Sequence, residues 1–325
     1  MGYRWLVARQ ALLGIGLVLL AAGCGGDAPA GCALGGSSPA APAASLAFRC
    51  DLDPQGHPAG ADIFQLRTDG SQAVRLTAGL GWATDPAWSP DGKELALTTT
   101  RDGSPNLYLM DSTGGRLRRL TSAPAADSNA AWSPDGRTLV FASGRDGVTG
   151  PLGAARRHAS LFAINADGSD LRQLSRVSGY SAEPAWSPDG SQIAFISDRD
   201  GNPSLYLMRS DGGEVRRLTD EGFFEGRPSW SPDGRRLAFF RTGTLGDRPH
   251  ATIQVIVLQG GKASTLVPGN GYDPAWSPDG SRIAFVSQRD GAPNLYVARS
   301  DGGGVLRLTH DAAPKFRPAW RPQAA

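Results

Sequence analysis

Short apolar runs alternate with turn-forming residues along most of the chain, from about residue 46 to residue 321. Residues 94–100 (ELALTTT) and 106–110 (NLYLM) are two such runs, and the segment Arg101-Asp102-Gly103 lies between them. Short runs rich in β-branched and aromatic residues, bounded by Gly, Pro and Asp, are typical of strands joined by tight turns. The pattern therefore predicts an all-β protein, and the abundant Gly and Pro are its turn residues.

One sequence unit recurs along the chain, and each copy contains a tryptophan. These residues are Trp88, Trp132, Trp186, Trp230, Trp276 and Trp320, at spacings of 44, 54, 44, 46 and 44 residues. The first five open the identical string Trp-Ser-Pro-Asp-Gly. A period near 40–45 residues is typical of one four-stranded propeller blade. We predict a strand ending at each Trp, a type I turn at Ser-Pro-Asp-Gly, two apolar strands and a short fourth strand, such as residues 117–121. The chain is thus predicted to be a six-bladed β-propeller.

The first and last repeats are incomplete in complementary ways. Residues 46–48, 62–66 and 74–77 supply strands two, three and four with no Trp strand before them, whereas residues 316–320 are a Trp strand with nothing after it. We predict that the C-terminal strand with Trp320 joins the N-terminal blade and closes the ring, which removes an exposed sheet edge. The propeller would then span residues 46–321, followed by a short tail at residues 322–325.

The N-terminal residues have the pattern of an export signal. Arg4 and Arg9 precede an apolar run at residues 11–22 that ends in small residues before Cys24. Residues 20–24 (LAAGC) resemble a bacterial lipobox, which implies a signal over residues 1–24 and a lipid on Cys24. The alternative is ordinary cleavage that leaves Cys24 as a free or disulfide-bonded thiol. No other stretch is apolar enough to span a membrane, so we expect no transmembrane helix in the mature protein.

Residues 25–45 are mainly Gly, Ala, Pro and Ser and are predicted to form a flexible tether. Cys32 in the tether and Cys50 in the first blade remain if Cys24 is lipidated, and in an oxidising compartment they can form a disulfide. We therefore expect an exported, membrane-anchored lipoprotein of the bacterial cell envelope, either periplasmic or on the outer surface.

Charge and motifs exclude several functional classes. The chain has 33 basic and 31 acidic residues, and its only basic segment is at the extreme N-terminus, so we predict no nucleic-acid partner. No Gly-x-Ser-x-Gly, His-Glu-x-x-His or phosphate-binding Gly-Lys motif occurs, so neither an enzyme nor a cofactor is expected. The repeated turn aspartates are read as turn formers rather than metal ligands; they are Asp91, Asp135, Asp189, Asp233 and Asp279.

The residue just before each Pro-Ala-Trp segment varies, while the turns repeat. These six residues are Asp85, Asn129, Glu183, Arg227, Asp273 and Arg317. In a propeller they would form a polar ring at the mouth of the central channel. Repetition is expected where geometry dictates the residue, and variation is how a symmetric scaffold acquires a particular binding surface. We predict that the ring binds a partner. The alternative is that these charges pair with Arg101, Arg145, Arg199 and Arg289 of neighbouring loops.

The loops between strands two and three share one face, the loop face, with the loops between blades. Two of them are extended, at residues 148–158 and 243–250, and they carry the further partner-binding candidates Arg156, Arg157, His158, Arg248 and His250. All four histidines, the other two being His57 and His310, are predicted on this face. Their spacing is not that of a metal site, so solvated loop residues are the default interpretation and no metal is predicted.

The strings Pro-Ala-Trp-Ser-Pro-Asp-Gly, Ile/Leu-Ala-Phe-x-Ser, Arg-Asp-Gly and Leu-Tyr resemble the WD-like propeller repeats of the TolB family over residues 46–321. We expect no counterpart of the family's separate N-terminal α/β domain in this sequence. The resemblance implies a non-catalytic scaffold, which we expect to be monomeric, that binds another envelope protein through its loop face.

Two alternatives remain open from the sequence. Oligogalacturonate lyases resemble this repeat and use a His-held metal, so a carbohydrate-active enzyme is one alternative. A propeller that binds a small ligand in its central funnel, through Asp85, Glu183, Asp273, Arg227 and Arg317, is the other.

Overall fold

The computed structural model describes residues 44–51, 60–69, 73–146, 159–175, 179–219, 223–245 and 248–322, with only the backbone of 244, 245, 248 and 249. The predicted signal and most of the tether lie outside these residues, as do several individual predictions: Cys24, Cys32, His57, Arg156, Arg157 and His158. They stay predictions.

The described residues form six four-stranded antiparallel sheets, each of which is one blade. Blade 1 consists of β24 (Lys315–Trp320), β1 (Ser45–Asp51), β2 (Ala61–Arg67) and β3 (Val74–Arg75). Blade 2 consists of β4 (Ala83–Trp88), β5 (Glu94–Thr99), β6 (Asn106–Asp111) and β7 (Arg118–Arg119). Blade 3 consists of β8 (Asp127–Trp132), β9 (Thr138–Ser143), β10 (Ser160–Asn165) and β11 (Arg172–Gln173).

Blade 4 consists of β12 (Ser181–Trp186), β13 (Gln192–Ser197), β14 (Ser204–Arg209) and β15 (Arg216–Arg217). Blade 5 consists of β16 (Phe224–Trp230), β17 (Arg236–Leu245), β18 (Arg248–Val257) and β19 (Ser264–Val267). Blade 6 consists of β20 (Gly271–Trp276), β21 (Arg282–Ser287), β22 (Asn294–Arg299) and β23 (Leu306–Arg307). The strands ending in Trp are the first of each blade, and the predicted six-bladed propeller is confirmed.

The ring closes as predicted, because the C-terminal strand β24 completes the N-terminal blade. It pairs antiparallel with β1, and Leu46 lies opposite Trp320. Beside this pairing, the Arg49 guanidinium lies 4.8 Å from the Trp82 ring centre and 4.7 Å from that of Phe316. Stacking of a buried cation between two rings stabilises such a junction. The closure thus joins the chain ends through both hydrogen bonds and ring contacts.

Individual strands differ in length from the predictions. The fourth strands are shorter than predicted, and β7 holds only Arg118 and Arg119 rather than residues 117–121. The fourth strand ends early because the Thr121 hydroxyl accepts a hydrogen bond from the Leu107 N–H at 3.0 Å. In a longer strand, a backbone carbonyl would accept this hydrogen bond instead. A side-chain hydroxyl that bonds to backbone in this way competes with regular strand pairing.

Apolar side chains fill the spaces between neighbouring blades. Between blades 3 and 4, Val140 and Leu161 pack with Ile193, Phe195 and Tyr206, all nearly or fully buried. Complete burial of a side chain of this size contributes about 1.5–3 kcal/mol. Since each interface joins consecutive repeats, the blades form one continuous body that positions the six innermost strands around the axis.

The Ser-Pro-Asp-Gly turns are held by local hydrogen bonds. In the first, the Ser89 hydroxyl donates to Asp91 Oδ1 at 2.7 Å, and the Lys93 N–H donates to the same oxygen at 3.1 Å. The Glu94 N–H donates to Ser89 Oγ at 2.9 Å. The Ser89 hydroxyl and the Lys93 N–H lower the pKa of Asp91, since both favour its ionised form. Gly92 follows at φ 67°, where glycine is favoured. The repeated aspartates thus form turns.

Candidate functional site

Six side chains reach the central channel from the same position in each blade, three residues before its tryptophan. We call them the channel ring; they are Asp85, Asn129, Glu183, Arg227, Asp273 and Arg317. All six have positive φ, between 50° and 59°, although none is glycine. At Asp85 the pairing of β4 with β5 shifts register between Thr84 and Ala87. Bulges of this kind redirect side chains and are often found near functional sites.

Arg227 of blade 5 crosses the channel. Its Nη2 donates a hydrogen bond to Asp85 Oδ1 of blade 2, 142 residues away in sequence. Its Nε lies 3.5 Å from Glu183 Oε1 and 3.9 Å from Asp273 Oδ1. The Arg227 backbone N–H donates to Glu183 Oε2 at 2.8 Å. One guanidinium therefore contacts carboxylates from three blades.

Arg317 of blade 1 repeats this arrangement. Its Nε lies 3.4 Å from Asp85 Oδ1, and its Nη1 lies 3.6 Å from Glu183 Oε1 and 3.4 Å from Asp273 Oδ1. The Arg317 backbone N–H donates to Asp273 Oδ2 at 3.1 Å. The two guanidinium groups and three carboxylates thus form one connected network across the channel, which joins blades 1, 2, 4, 5 and 6.

The charges of the ring alternate from blade to blade. Blades 2, 4 and 6 supply Asp85, Glu183 and Asp273, whereas blades 5 and 1 supply Arg227 and Arg317. Blade 3 supplies the neutral Asn129 where the alternation would have a cation. Three carboxylates face two guanidinium groups, so the ionised ring has one negative charge in excess. The sequence analysis identified these six residues but missed the alternation, which is visible in the order of the repeats.

Burial makes this excess charge costly. The side chains of Asp85, Glu183 and Asp273 are only 7, 12 and 11% exposed. Burial raises the pKa of Glu183, and it raises the pKa of Asp273 to about 6 even though Arg227 opposes the shift. For Arg227, burial alone would lower the pKa, but the three carboxylates outweigh it and raise the pKa. Removal from water disfavours each ionised carboxylate unless a cation compensates.

The loop arginines that could have paired with the ring charges make other contacts. Arg145 pairs with Asp127 at 2.5 Å, and Arg199 lies about 5 Å over the rings of Phe195 and Tyr206. Arg101 and Arg289 stack in the same way on aromatic rings of their own blades. These arginines therefore contact residues of their own blades, which are blades 2, 3, 4 and 6. The ring carboxylates pair with the two arginines of the ring.

A funnel of about 430 Å³ lies against one half of the ring. Its inner end includes Arg227, Asp273 and Arg317, and its wall consists of Pro, Ala and Trp side chains from the ends of the innermost strands. Ser277 and Pro278, which belong to a Ser-Pro-Asp-Gly turn, also line it. The funnel therefore opens on the face that carries these turns, opposite the loop face. The funnel gives solvent access to Arg227, Asp273 and Arg317 of the ring.

On the loop face, the hairpin of β17 and β18 extends beyond the end of β16. These strands have 10 residues each, whereas β13 and β14 have 6. β16 pairs with β17 as far as Thr242, and the hairpin continues to the pair Leu245–Arg248. Three further residues per strand correspond to about 10 Å. Phe223, which is 40% exposed, lies at the base of this hairpin, and the Arg241 guanidinium lies 5.2 Å from its ring centre.

The histidines remain scattered among the described residues. His250 is half-buried in β18 and His310 is exposed between β23 and β24, while only the backbone of Arg248 is described. Within the described ranges, no group of three or more His, Cys, Asp or Glu side chains could hold a metal ion. The same part of the chain contains no helix long and apolar enough to cross a membrane.

Cys50 is fully buried in β1 and is disulfide-bonded. The other two cysteines, Cys24 and Cys32, both lie outside the described residues, so the pairing of Cys32 with Cys50 stays a prediction.

Family models match nearly the whole propeller. A model described as the TolB β-propeller domain matches residues 154–248 and 227–325, which together exceed half of the chain. The chain belongs to the TolB β-propeller family. A second model, the N-terminal β-propeller domain of tricorn protease, matches residues 58–158 of this TolB-family chain. The resemblance identified from the repeated strings is thereby confirmed.

Individual relatives agree with this assignment. The chain is 30% identical to the TolB homologue of Chlorobium luteolum over 142 residues, which are 44% of the chain and 30% of that protein. The alignment thus spans less than a third of this relative. The crystal structure of TolB from Acinetobacter baumannii has a TM-score of 0.73 at 24% identity, covering 86% of this chain and 67% of that one. An oligogalacturonate lyase in complex with manganese has a TM-score of 0.55 at 19% identity, covering 77% and 71%. At these identities both structures share the fold.

Proposed function

We propose that this chain is a non-catalytic scaffold of the bacterial cell envelope that binds another protein through its loop face. The observation that carries the proposal is the hairpin of β17 and β18, which projects about 10 Å beyond β16 with the exposed Phe223 at its base. Irregular loops on a rigid scaffold are where binding surfaces usually lie. Membership in the TolB family supports a protein as the partner.

Within this proposal the channel ring acts indirectly. Its charged side chains already contact one another, so a partner would have to break buried ion pairs to reach them. The ring would instead fix the innermost strands, and so the spacing of the loops that these strands support. The loop residues Arg156, Arg157, His158, Arg248 and His250 are the proposed contacts.

The proposed location follows from the export signal and the first blade. A lipid on Cys24 would anchor the protein, and the predicted tether at residues 25–45 would let the propeller move away from the membrane surface. The disulfide at Cys50 supports an oxidising compartment.

Photo-crosslinking in intact envelopes tests the docking surface, with a photo-crosslinker placed at residue 252 of the mature protein. One variant replaces Phe223 with Ser, and a second replaces residues 243–250 with Asn-Gly. Leu306→Ser is the matched control, because Leu306 is even more exposed, at 55%, but lies on the outer strand β23. We expect a single crosslinked protein whose yield falls at least about tenfold in both loop-face variants, as loss of a central aromatic contact costs roughly 1–3 kcal/mol.

The control should crosslink as well as the unchanged protein. Equal crosslinking in all variants, with far-UV circular dichroism unchanged, would refute the loop face as the docking surface.

A metal-dependent lyase is one of the two alternatives that the sequence leaves open. In the part of the chain that is described, His250 and His310 have no set of metal-ligating neighbours. The likeness to a manganese-bound lyase, at 19% identity, extends only to the fold, and no catalytic role is part of the proposal.

A further inference from the structure

The channel ring has one position where its pattern is broken. Acidic residues on blades 2, 4 and 6 alternate with Arg on blades 5 and 1, and Asn129 on blade 3 takes the place of a third cation. Asn129 has the same backbone conformation as the two arginines, with φ 57° against 53° for Arg227 and 59° for Arg317. The backbone φ is thus similar at the three positions, but Asn129 has a short neutral side chain where the other two have a long cationic one.

A buried network with an uncompensated charge is unstable, because each ion loses its hydration and the remaining pairs do not restore it. The two guanidinium groups already contact Asp85, Glu183 and Asp273 simultaneously. The excess negative charge is therefore shared by the whole network. This charge can be neutralised by a proton or by an external cation, or it can remain uncompensated.

We propose that the channel ring binds one exchangeable proton, which supplies the positive charge that Asn129 does not. The ring is then neutral in mildly acidic solution and carries a net negative charge at higher pH. The proton is shared among coupled carboxylates, with Asp273 as its main site. This site is independent of the proposed protein partner, since it depends only on residues inside the channel.

The surroundings of Asp273 support this assignment. It faces the cations Arg227 and Arg317 and the carboxylates Asp85 and Glu183, and Arg49 acts on it from β1. The neighbouring Tyr272 is half-buried. Burial raises the pKa of Asp273 to about 6, and the two other carboxylates add to the shift. Asp273 also lines the funnel, so its proton can exchange with solvent.

A proton fits better than a larger cation. The lining of the funnel includes Arg227, Asp273 and Arg317, whereas Asp85, Asn129 and Glu183 are absent from it. An external cation that enters through this funnel meets the two guanidinium groups, which repel it. A proton needs no cavity and reaches the network through Asp273.

The test follows the aspartate carboxyl groups of the full mature chain by carbon-13 NMR between pH 4 and 8, in a buffer of large organic ions. We expect one aspartate with a midpoint near 6. Asn129→Arg should lower that midpoint by at least about one unit, a tenfold change in proton affinity, because the added guanidinium compensates the charge. The matched control Asn129→Gln should leave the midpoint unchanged. Arg is compatible with this backbone, as Arg227 and Arg317 show.

Asp273→Asn is the second variant, and it should abolish the titration even if Asn129→Arg folds poorly. The proposal is overturned if no aspartate titrates above pH 5, if Asn129→Arg and the unchanged chain share one midpoint, or if 100 mM sodium or magnesium chloride shifts the midpoint as far as Asn129→Arg does. The last result would mean that an external cation, rather than the proton, compensates the ring.

Discussion

The turn aspartates and the ring carboxylates are the same chemical group in opposite surroundings, and blade 4 contains one of each. Asp189 is exposed, and it accepts hydrogen bonds from the Ser187 hydroxyl and the Ser191 N–H. These bonds lower the pKa of Asp189. Glu183, six positions earlier, is buried in the channel, and burial raises its pKa. Local hydrogen bonds favour the ionised form in the turn, whereas loss of water disfavours it in the ring.

The two regions also differ in the sequence distance over which they are assembled. The turn around Asp189 joins residues at most five positions apart, such as Ser187 and Gln192. The ring joins Asp85 to Arg227, 142 positions apart. A turn therefore depends on its own residues alone, while every member of the ring depends on complete closure of the propeller.

Removal of Arg227 should have the largest effect on stability. Arg227→Met leaves three buried carboxylates with one guanidinium, and loss of one partner of a buried ion pair costs about 3–5 kcal/mol. Urea unfolding at pH 7 measures this loss. The matched control is Arg235→Met, an exposed residue of a turn, which should change the free energy of unfolding by less than about 0.5 kcal/mol.

The double variant Arg227→Met with Asp85→Asn removes one charge of each sign and should recover part of the loss. If Arg227→Met and Arg235→Met lower the free energy of unfolding by the same amount, the ring network contributes nothing specific to stability.

The stability contributions of the ring carboxylates and of the turn aspartates should change with pH in opposite directions. Asp273 has a raised pKa in the folded chain, so its contribution is greatest below about pH 4 and is lost as the pH rises through about 6. A shift from 3.8 to about 6 corresponds to a loss of up to about 3 kcal/mol over that window. Turn aspartates have a lowered pKa, so their contribution is present above about pH 4 and is lost in stronger acid.

Urea midpoints at intervals of half a pH unit check this prediction. Asp273→Asn should reduce the decline between pH 4 and 6, and a remaining decline is expected from Glu183, whose pKa is also raised. Asp189→Asn should leave the decline unchanged. An undiminished decline in Asp273→Asn would show that another group causes it.

This difference also explains which features the sequence predicts. The turn at Ser187 and the closure by Trp320 were predicted because turn chemistry and the missing Trp strand are local signals or visible gaps in a repeat. The ring positions were predicted for the same reason, since each lies before a tryptophan. Their pairing was not, because Arg227 can reach Asp85 only when bulges at both residues turn the side chains into a channel that the complete ring encloses. The length of the β17–β18 hairpin likewise depends on pairing beyond β16.

Loss of one turn aspartate should have the smallest of these effects. Asp189→Ala removes the acceptor of the buried Ser187 hydroxyl and of the Ser191 N–H, and at the exposed Ser191 water can replace it. We therefore expect a loss of about 1 kcal/mol at pH 7, measured by urea unfolding, with no change in the decline between pH 4 and 6. Asp189→Asn keeps one acceptor oxygen, so its free energy of unfolding should fall by less than that of Asp189→Ala. A loss as large as that of Arg227→Met would contradict the comparison, because it would make a local turn as important as a network that spans five blades.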